Sequence, residues 1–142
     1  MQRSAMRELA FKLVYEIEIQ KNEIEDDELE IFVENNEIDD KSTIEYLKDI
    51  KHGLADKYKE INELIEKNLK ENWSLDRVSK INLSLLKVAI YEMVYKKLPY
   101  KVAINEVVEL DKKYSDDLAP NFINGVLASI VKEKKLDEKD NK

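Results

Sequence analysis

The sequence predicts an all-α protein of about seven helices arranged as two small packed bundles. Three observations predict it. The 142 residues include only two glycines and two prolines, too few for a hairpin-rich β architecture or a glycine-rich phosphate loop. Apolar residues recur three and four positions apart along most of the chain, and no strand alternation stands out. Charged residues make up 39 % and apolar residues 43 %, the balance of solvated helices over an ordinary core. The expected organisation is one domain over residues 1–135. It has an N-terminal subdomain over about 1–72 and a C-terminal one over about 73–135. The tail LDEKDNK (136–142) has too little to bury and is expected to fray.

The elements follow in order. Met6, Leu9, Ala10, Leu13, Val14 and Ile17 form the apolar stripe of a first helix, with Ser4 as its expected N-cap. Residues 21–42 are acidic and read as a loop followed by a short helix near 27–36. Ser42 or Thr43 is the expected cap of the next helix. Its apolar face runs from Ile44 through Leu47, Ile50, Leu54, Tyr58, Ile61 and Leu64 to about residue 70. Gly53 inside that helix costs about 1 kcal/mol relative to alanine, and close approach of another helix is the expected reason for it. Ser74 is expected to start the following unit. There Val78, Ile81, Leu85, Val88 and Ala89 form one apolar row, and Leu86, Ile90, Met93 and Val94 form another. A helix apolar over most of its circumference belongs at the centre of a bundle. Pro99 ends it and opens the next helix, where Ala103, Val107, Leu110 and Tyr114 face inward. The last helix carries Phe122, Ile123, Val126, Leu127, Ile130 and Val131, with Pro120 in its first turn.

Little points to chemistry. The chain has no cysteine, hence no disulfide, zinc knuckle or thiol nucleophile. His52 is the only histidine and reads as a surface or packing residue. The serines form no nucleophile–base pair, and the many carboxylates are what a solvated helical surface supplies. No enzyme activity, metal or cofactor is expected. The opening MQRSAMRELAFKLVY is too charged for a secretory segment, and no apolar run approaches the roughly 18 residues of a membrane span. A cytoplasmic protein is expected.

The formal net charge of −7 is unevenly spread. Residues 21–42 hold ten acids against two bases, while residues 77–114 hold eight bases against four acids. A local basic face is therefore compatible with an acidic chain. Arg3 and Arg7 flank the first helix's apolar stripe, and Phe11 and Tyr15 lie on its other side. Burial is the favoured reading for Phe11. Tyr15 is open to burial or to contact with a partner or a base. Asn105, Glu109 and Lys112 share the polar face of the 99–114 helix, with Glu106 and Lys113 near them. A solvated face with a Glu109–Lys113 pair, or polar bonding by Asn105 and Glu106 inside the bundle, is the favoured reading.

Four segments together resemble the NusB family of transcription antitermination factors. They are RSAMRELAFKLVYEIE (3–18), LLKVAIYEM (85–93), PYKVAINEVVELDKKY (99–114) and NFINGVL (121–127). The resemblance implies an all-helical fold without enzymatic activity. It implies binding of the boxA element of ribosomal RNA leader transcripts together with NusE, a small-subunit ribosomal protein. The pair would then act with other Nus factors on RNA polymerase, and a homodimer is a further possibility within the family. Carried over by position, RNA contacts fall on Arg3, Arg7, Lys101, Phe122 and Asn124, and protein-partner contacts on Tyr15, Tyr91 and Glu92. Lys87 stands where the family often has arginine, which loses bidentate phosphate geometry. The expected mode is single-stranded RNA held by stacking and by phosphate contacts, with the acidic 21–42 segment turned away. Two other readings stay open. One is the RNA-binding module of a methyltransferase, without its catalytic part. The other is a helical protein–protein adaptor without direct RNA recognition.

Overall fold

The computed structural model describes residues 2–20, 27–71, 73–116 and 118–139. The helices are α1 (Arg3–Gln20), α2 (Asp27–Asn35), α3 (Lys41–Asp56), α4 (Tyr58–Lys67), α5 (Lys80–Ile90), α6 (Tyr100–Tyr114), α7 (Ala119–Glu133) and the one-turn α8 (Leu136–Lys139). A 3-10 turn at Leu75–Arg77 precedes α5, and a π-helical turn at Tyr91–Tyr95 extends it. The described residues contain no strand, and the all-α class is as the sequence predicts.

Helix α5 is the centre. Every residue from Leu83 to Met93 is buried, which matches the two apolar rows read from the sequence. Helices α1, α6, α7 and α4 pack around it, and α3 packs on α1. The expected division near residue 73 falls in the connection between α4 and the 3-10 turn. One continuous core nevertheless runs from Ala10 in α1 to Leu136 in α8. Leu136 is 8 % exposed, so the start of the expected frayed tail docks instead, because one leucine reaches the core. Residues 140–142 and the loop expected at 21–26 lie outside the described residues.

Helix ends differ from expectation in four places. Helix α1 begins at Arg3, which puts Ser4 inside its first turn rather than at its cap. Asp40 precedes α3, and Ser42 and Thr43 donate to its carboxylate at 3.1 and 2.5 Å instead of capping the helix themselves. The Thr43 hydroxyl holds that carboxyl below its ordinary value. The apolar face expected as one helix to residue 70 is split at Lys57. The break re-aims α4 so that Ile61, Leu64 and Ile65 are buried. Ser79, rather than Ser74, caps α5, accepting a hydrogen bond from the Asn82 N–H at 3.1 Å. Val78, in extended conformation, separates the turn after Ser74 from the helix.

The expected reason for Gly53 holds, with the π-helical turn as the neighbour. A Cβ at Gly53 would lie 2.2 Å from ring atoms and hydroxyl of Tyr91. Tyr91 is 7 % exposed, and its hydroxyl donates to Asp49 Oδ1 at 3.2 Å, so the ring is pinned. Neither glycine is spent on a turn. Among the described residues the left-handed positions are Glu37, Lys97 and Lys135, with φ of 52°, 60° and 56°.

At the α5–α6 contact, Asp111 is fully buried and burial pushes its carboxyl up to about 6. The Asn82 amide, oriented to donate, places its nitrogen 2.9 and 3.0 Å from the two carboxylate oxygens.

Helix propensity alone would make Gly53→Ala stabilising by about 1 kcal/mol. The clash with Tyr91 reverses the sign, and a net loss of about 1–3 kcal/mol is expected in urea denaturation. For Asp111, burial makes the folded carboxyl titrate above the ordinary aspartate range. The native state therefore binds more protons than the unfolded chain between about pH 4 and 6, and stability falls as pH rises through that window. Asp111→Asn, which cannot titrate, should flatten this fall. Denaturation at pH 4 and 7.5 measures it, and an unchanged pH slope would contradict the assignment.

Candidate nucleic-acid interface

The positions singled out in the sequence fall in four places. The first lies where α1, α3, the π-helical turn and α6 converge. Arg7 is 4 % exposed and Glu92 is 6 % exposed. Arg7 Nε donates to Glu92 Oε1 at 2.7 Å and Nη2 donates to Oε2 at 2.9 Å, a bidentate pair. The Tyr46 hydroxyl adds a bond to Glu92 Oε1 at 3.2 Å, and Glu106 Oε1 lies 3.7 Å from Arg7 Nη1. Burial, reinforced by the Glu92 carboxylate, pushes the Tyr46 hydroxyl well above its ordinary pKa. Burial also pushes Tyr91 up to about 12. Above this network a cavity of about 300 Å³ is lined by Arg3, Asp49, Lys96 and Leu98, among others. Arg3 and Lys96 are exposed there.

The second place is a groove of about 440 Å³ beside α6, α7 and α8, which brings Lys101 and Asn124 together with Asn105 and Lys132. In the third, Phe122 is half-buried and its ring lies 5.6 Å, centroid to centroid, from Trp73, with the planes tilted by 34°. Trp73 is 47 % exposed. The fourth is Tyr15, half-buried, with its ring 6.1 Å from Phe11. Phe11 is 3 % exposed and sits 5.1 Å from the Tyr114 ring, so the burial expected for it holds.

The structure thus joins Arg7 to Glu92, two residues the resemblance places in different roles, and turns both inward with Tyr91. It leaves Arg3, Lys101 and Asn124 exposed. Lys87, considered as a phosphate contact, is buried in an ion pair with Glu18 and lies 4.5 Å from the Tyr58 ring. Its cleft, of about 790 Å³, holds none of the predicted site residues. On α6 the expected Glu109–Lys113 pair is replaced. Lys112 reaches Glu109 at 3.0 Å, while Lys113 crosses to Glu8 on α1 at 2.8 Å. The Glu8 carboxyl is held below its ordinary range by Lys113 and by the Tyr114 hydroxyl. Sequence reasoning missed Trp73 and Lys132. A lone tryptophan at an element boundary was the available signal for the first, and an ordinary charged helix face hid the second.

Comparison with known proteins completes the description. The profile of the NusB family matches residues 4–132. The transcription antitermination protein NusB of Acetivibrio thermocellus is 42 % identical over 135 residues, covering 94 % of this chain and 91 % of that protein. Its counterpart in Clostridium acetobutylicum is 40 % identical over 132 residues, covering 92 % and 96 %. Among solved structures, T. maritima NusB superposes with a TM-score of 0.84 at 31 % identity, over 97 % of this chain and 98 % of that one. A NusB crystallised with the antitermination factor NusE and double-stranded RNA gives 0.83 at 29 % identity, over 92 % and 96 %.

Removing one partner of the buried pair strands the other charge in the core. Glu92→Leu and Arg7→Met alone should each cost about 3–5 kcal/mol, with Arg7→Met at the lower end because Tyr46 still reaches Glu92. The double variant should recover most of that loss. Urea unfolding of the three variants measures the coupling, and additive losses would show the pair to be energetically independent.

Proposed function

This chain belongs to the NusB family, and on that premise we propose that it binds boxA-type single-stranded leader RNA together with NusE and so supports transcription of ribosomal RNA. In this reading it acts in the cytoplasm alongside other Nus factors and RNA polymerase. The observation that carries the proposal is the family match over nearly the whole chain. A similar chain was crystallised with NusE and double-stranded RNA, which supports NusE and RNA as the classes of partner.

The site geometry divides the labour. Arg3 and Lys101 are exposed cations on the first turns of α1 and α6, suited to phosphate. Phe122 offers a half-exposed ring backed by Trp73 for stacking, and Asn124 offers an amide. Arg7, Tyr91 and Glu92 hold the framework from inside, because at 4–7 % exposure they offer little surface for contact. Tyr15 remains the candidate for contact with the protein partner. With few basic groups to offer, the isolated chain should bind RNA weakly, and NusE should raise affinity by adding contacts of its own.

A titration at two salt concentrations tests this. A boxA-type RNA and a scrambled RNA are each measured with and without NusE. Preference for the boxA-type RNA, strengthened by NusE and weakened by salt, is expected. Arg3→Glu should lower affinity several-fold with helicity unchanged. Equal weak binding of both RNAs, indifferent to NusE, would favour a protein–protein adaptor instead.

A further inference from the structure

The cleft beside Lys87 has no part in the RNA-binding reading. Its volume of about 790 Å³ lies within the range of small-molecule sites, roughly 300–1,000 Å³. Helices α1, α3, α4 and α5 supply its walls, with α3 and α4 meeting beside it at Lys57. Val14, Leu54, Ile61 and Leu83 give it an apolar body.

Three polar features converge there. The first is charge. Lys51, Lys80 and Lys87 line the cleft against Glu18 and Asp76, a net of one positive charge. Lys51 and Lys87 are buried, at 4 % and 3 % exposure, where water screens their field least. The second is an acceptor. Asn62 lines the cleft, and its Oδ1 is buried with no hydrogen-bond donor among the described residues. A buried acceptor left unpaired costs free energy, and a donor brought by a ligand relieves that cost. The third is an aromatic face. Tyr58 is 57 % exposed, and its ring lies 4.5 Å from Lys87 Nζ.

We propose that this cleft binds a small amphipathic carboxylic acid, an aromatic body carrying one carboxylate and one N–H donor. The carboxylate meets the lysine side at Lys51 and Lys80, the ring lies against Tyr58, and the donor bonds to Asn62 Oδ1. One net positive charge suits a monoanion better than a phosphate dianion. The Glu18 carboxylate is engaged by Lys87. Asp76 is exposed, so solvent screens its repulsion.

Indoleacetic acid carries all three features and serves as the probe. The isotope-labelled full chain is titrated with it and followed by backbone amide chemical shifts. Saturable shifts confined to the surroundings of Leu54, Tyr58, Asn62 and Leu75 are expected. Tryptamine, with the charge reversed, should bind at least about tenfold more weakly. N-methylindoleacetic acid, without the N–H, should bind about fivefold more weakly than the parent acid. Asn62→Leu should erase that difference, and Lys51→Met should weaken the parent acid about tenfold. The comparison of the three ligands on the unmodified chain stands whether or not both variants fold. The inference is overturned if the shifts fail to saturate or scatter over the surface, or if either analogue binds as tightly as indoleacetic acid. It is overturned equally if the acid leaves these amides unmoved while NusE shifts them, which would make the cleft a protein-docking surface.

Discussion

Arg7 and Glu92 meet where α1, α3, the π-helical turn and α6 converge, and the geometry of that corner follows from how two charges can be kept out of water. Each ion loses several kcal/mol of hydration on burial. The bidentate guanidinium–carboxylate pairing, the Tyr46 hydroxyl and the nearby Glu106 together offset that loss. Such a corner tolerates few alternatives. Sliding α1 by one residue would carry Arg7 round its helix by about a quarter turn, leaving Glu92 buried without its main partner. The pair therefore fixes the register of α1 against the end of α5, and the apolar packing of Leu13, Val14 and Leu86 is built on that register.

Helix α6 shows how one stretch serves both the interior and the surface. Its apolar positions, Ala103, Val107 and Leu110, are buried. Glu106, one step round the helix, completes the Arg7 corner. Asn105, on the opposite side of Glu106 in sequence, faces the groove with Lys101. The helical repeat of 3.6 residues separates neighbours by about 100°, so an Asn–Glu pair is divided between two tasks. Lys113 then ties the far end of the helix back to Glu8 on α1.

Much of this was legible beforehand, for identifiable reasons. The rows of α5 are readable because burial on nearly all sides leaves an apolar pattern with no polar face to confuse it. Gly53 is readable because a glycine inside a helix is an anomaly that asks for a neighbour, and Tyr91 is that neighbour. The inward turn of Arg7 was not readable. Its sequence neighbours place it at the edge of an apolar stripe, where solvation is the ordinary outcome, and its carboxylate partner lies 85 residues away. The break at Lys57 was hidden by a continuous apolar face, since two helices in line share the periodicity of one. The choice of Ser79 over Ser74 was hidden as well, because both serines precede a plausible helix start.

Glu92 also acts through its backbone. Its carbonyl accepts from Leu98 N–H at 2.9 Å across a turn in which Lys97 holds a left-handed conformation. The side chain that anchors α1 and the peptide group that closes the turn before α6 thus belong to one residue. Arg3 and Lys101, near the N-terminal ends of those helices, are consequently mounted on a common rigid support. The backbone entropy of placing two cations at a set separation is surrendered once, during folding. In the proposed RNA-binding role only the two flexible side chains would remain to be ordered. That is preorganisation achieved with a handful of charges, in a chain whose overall charge is negative.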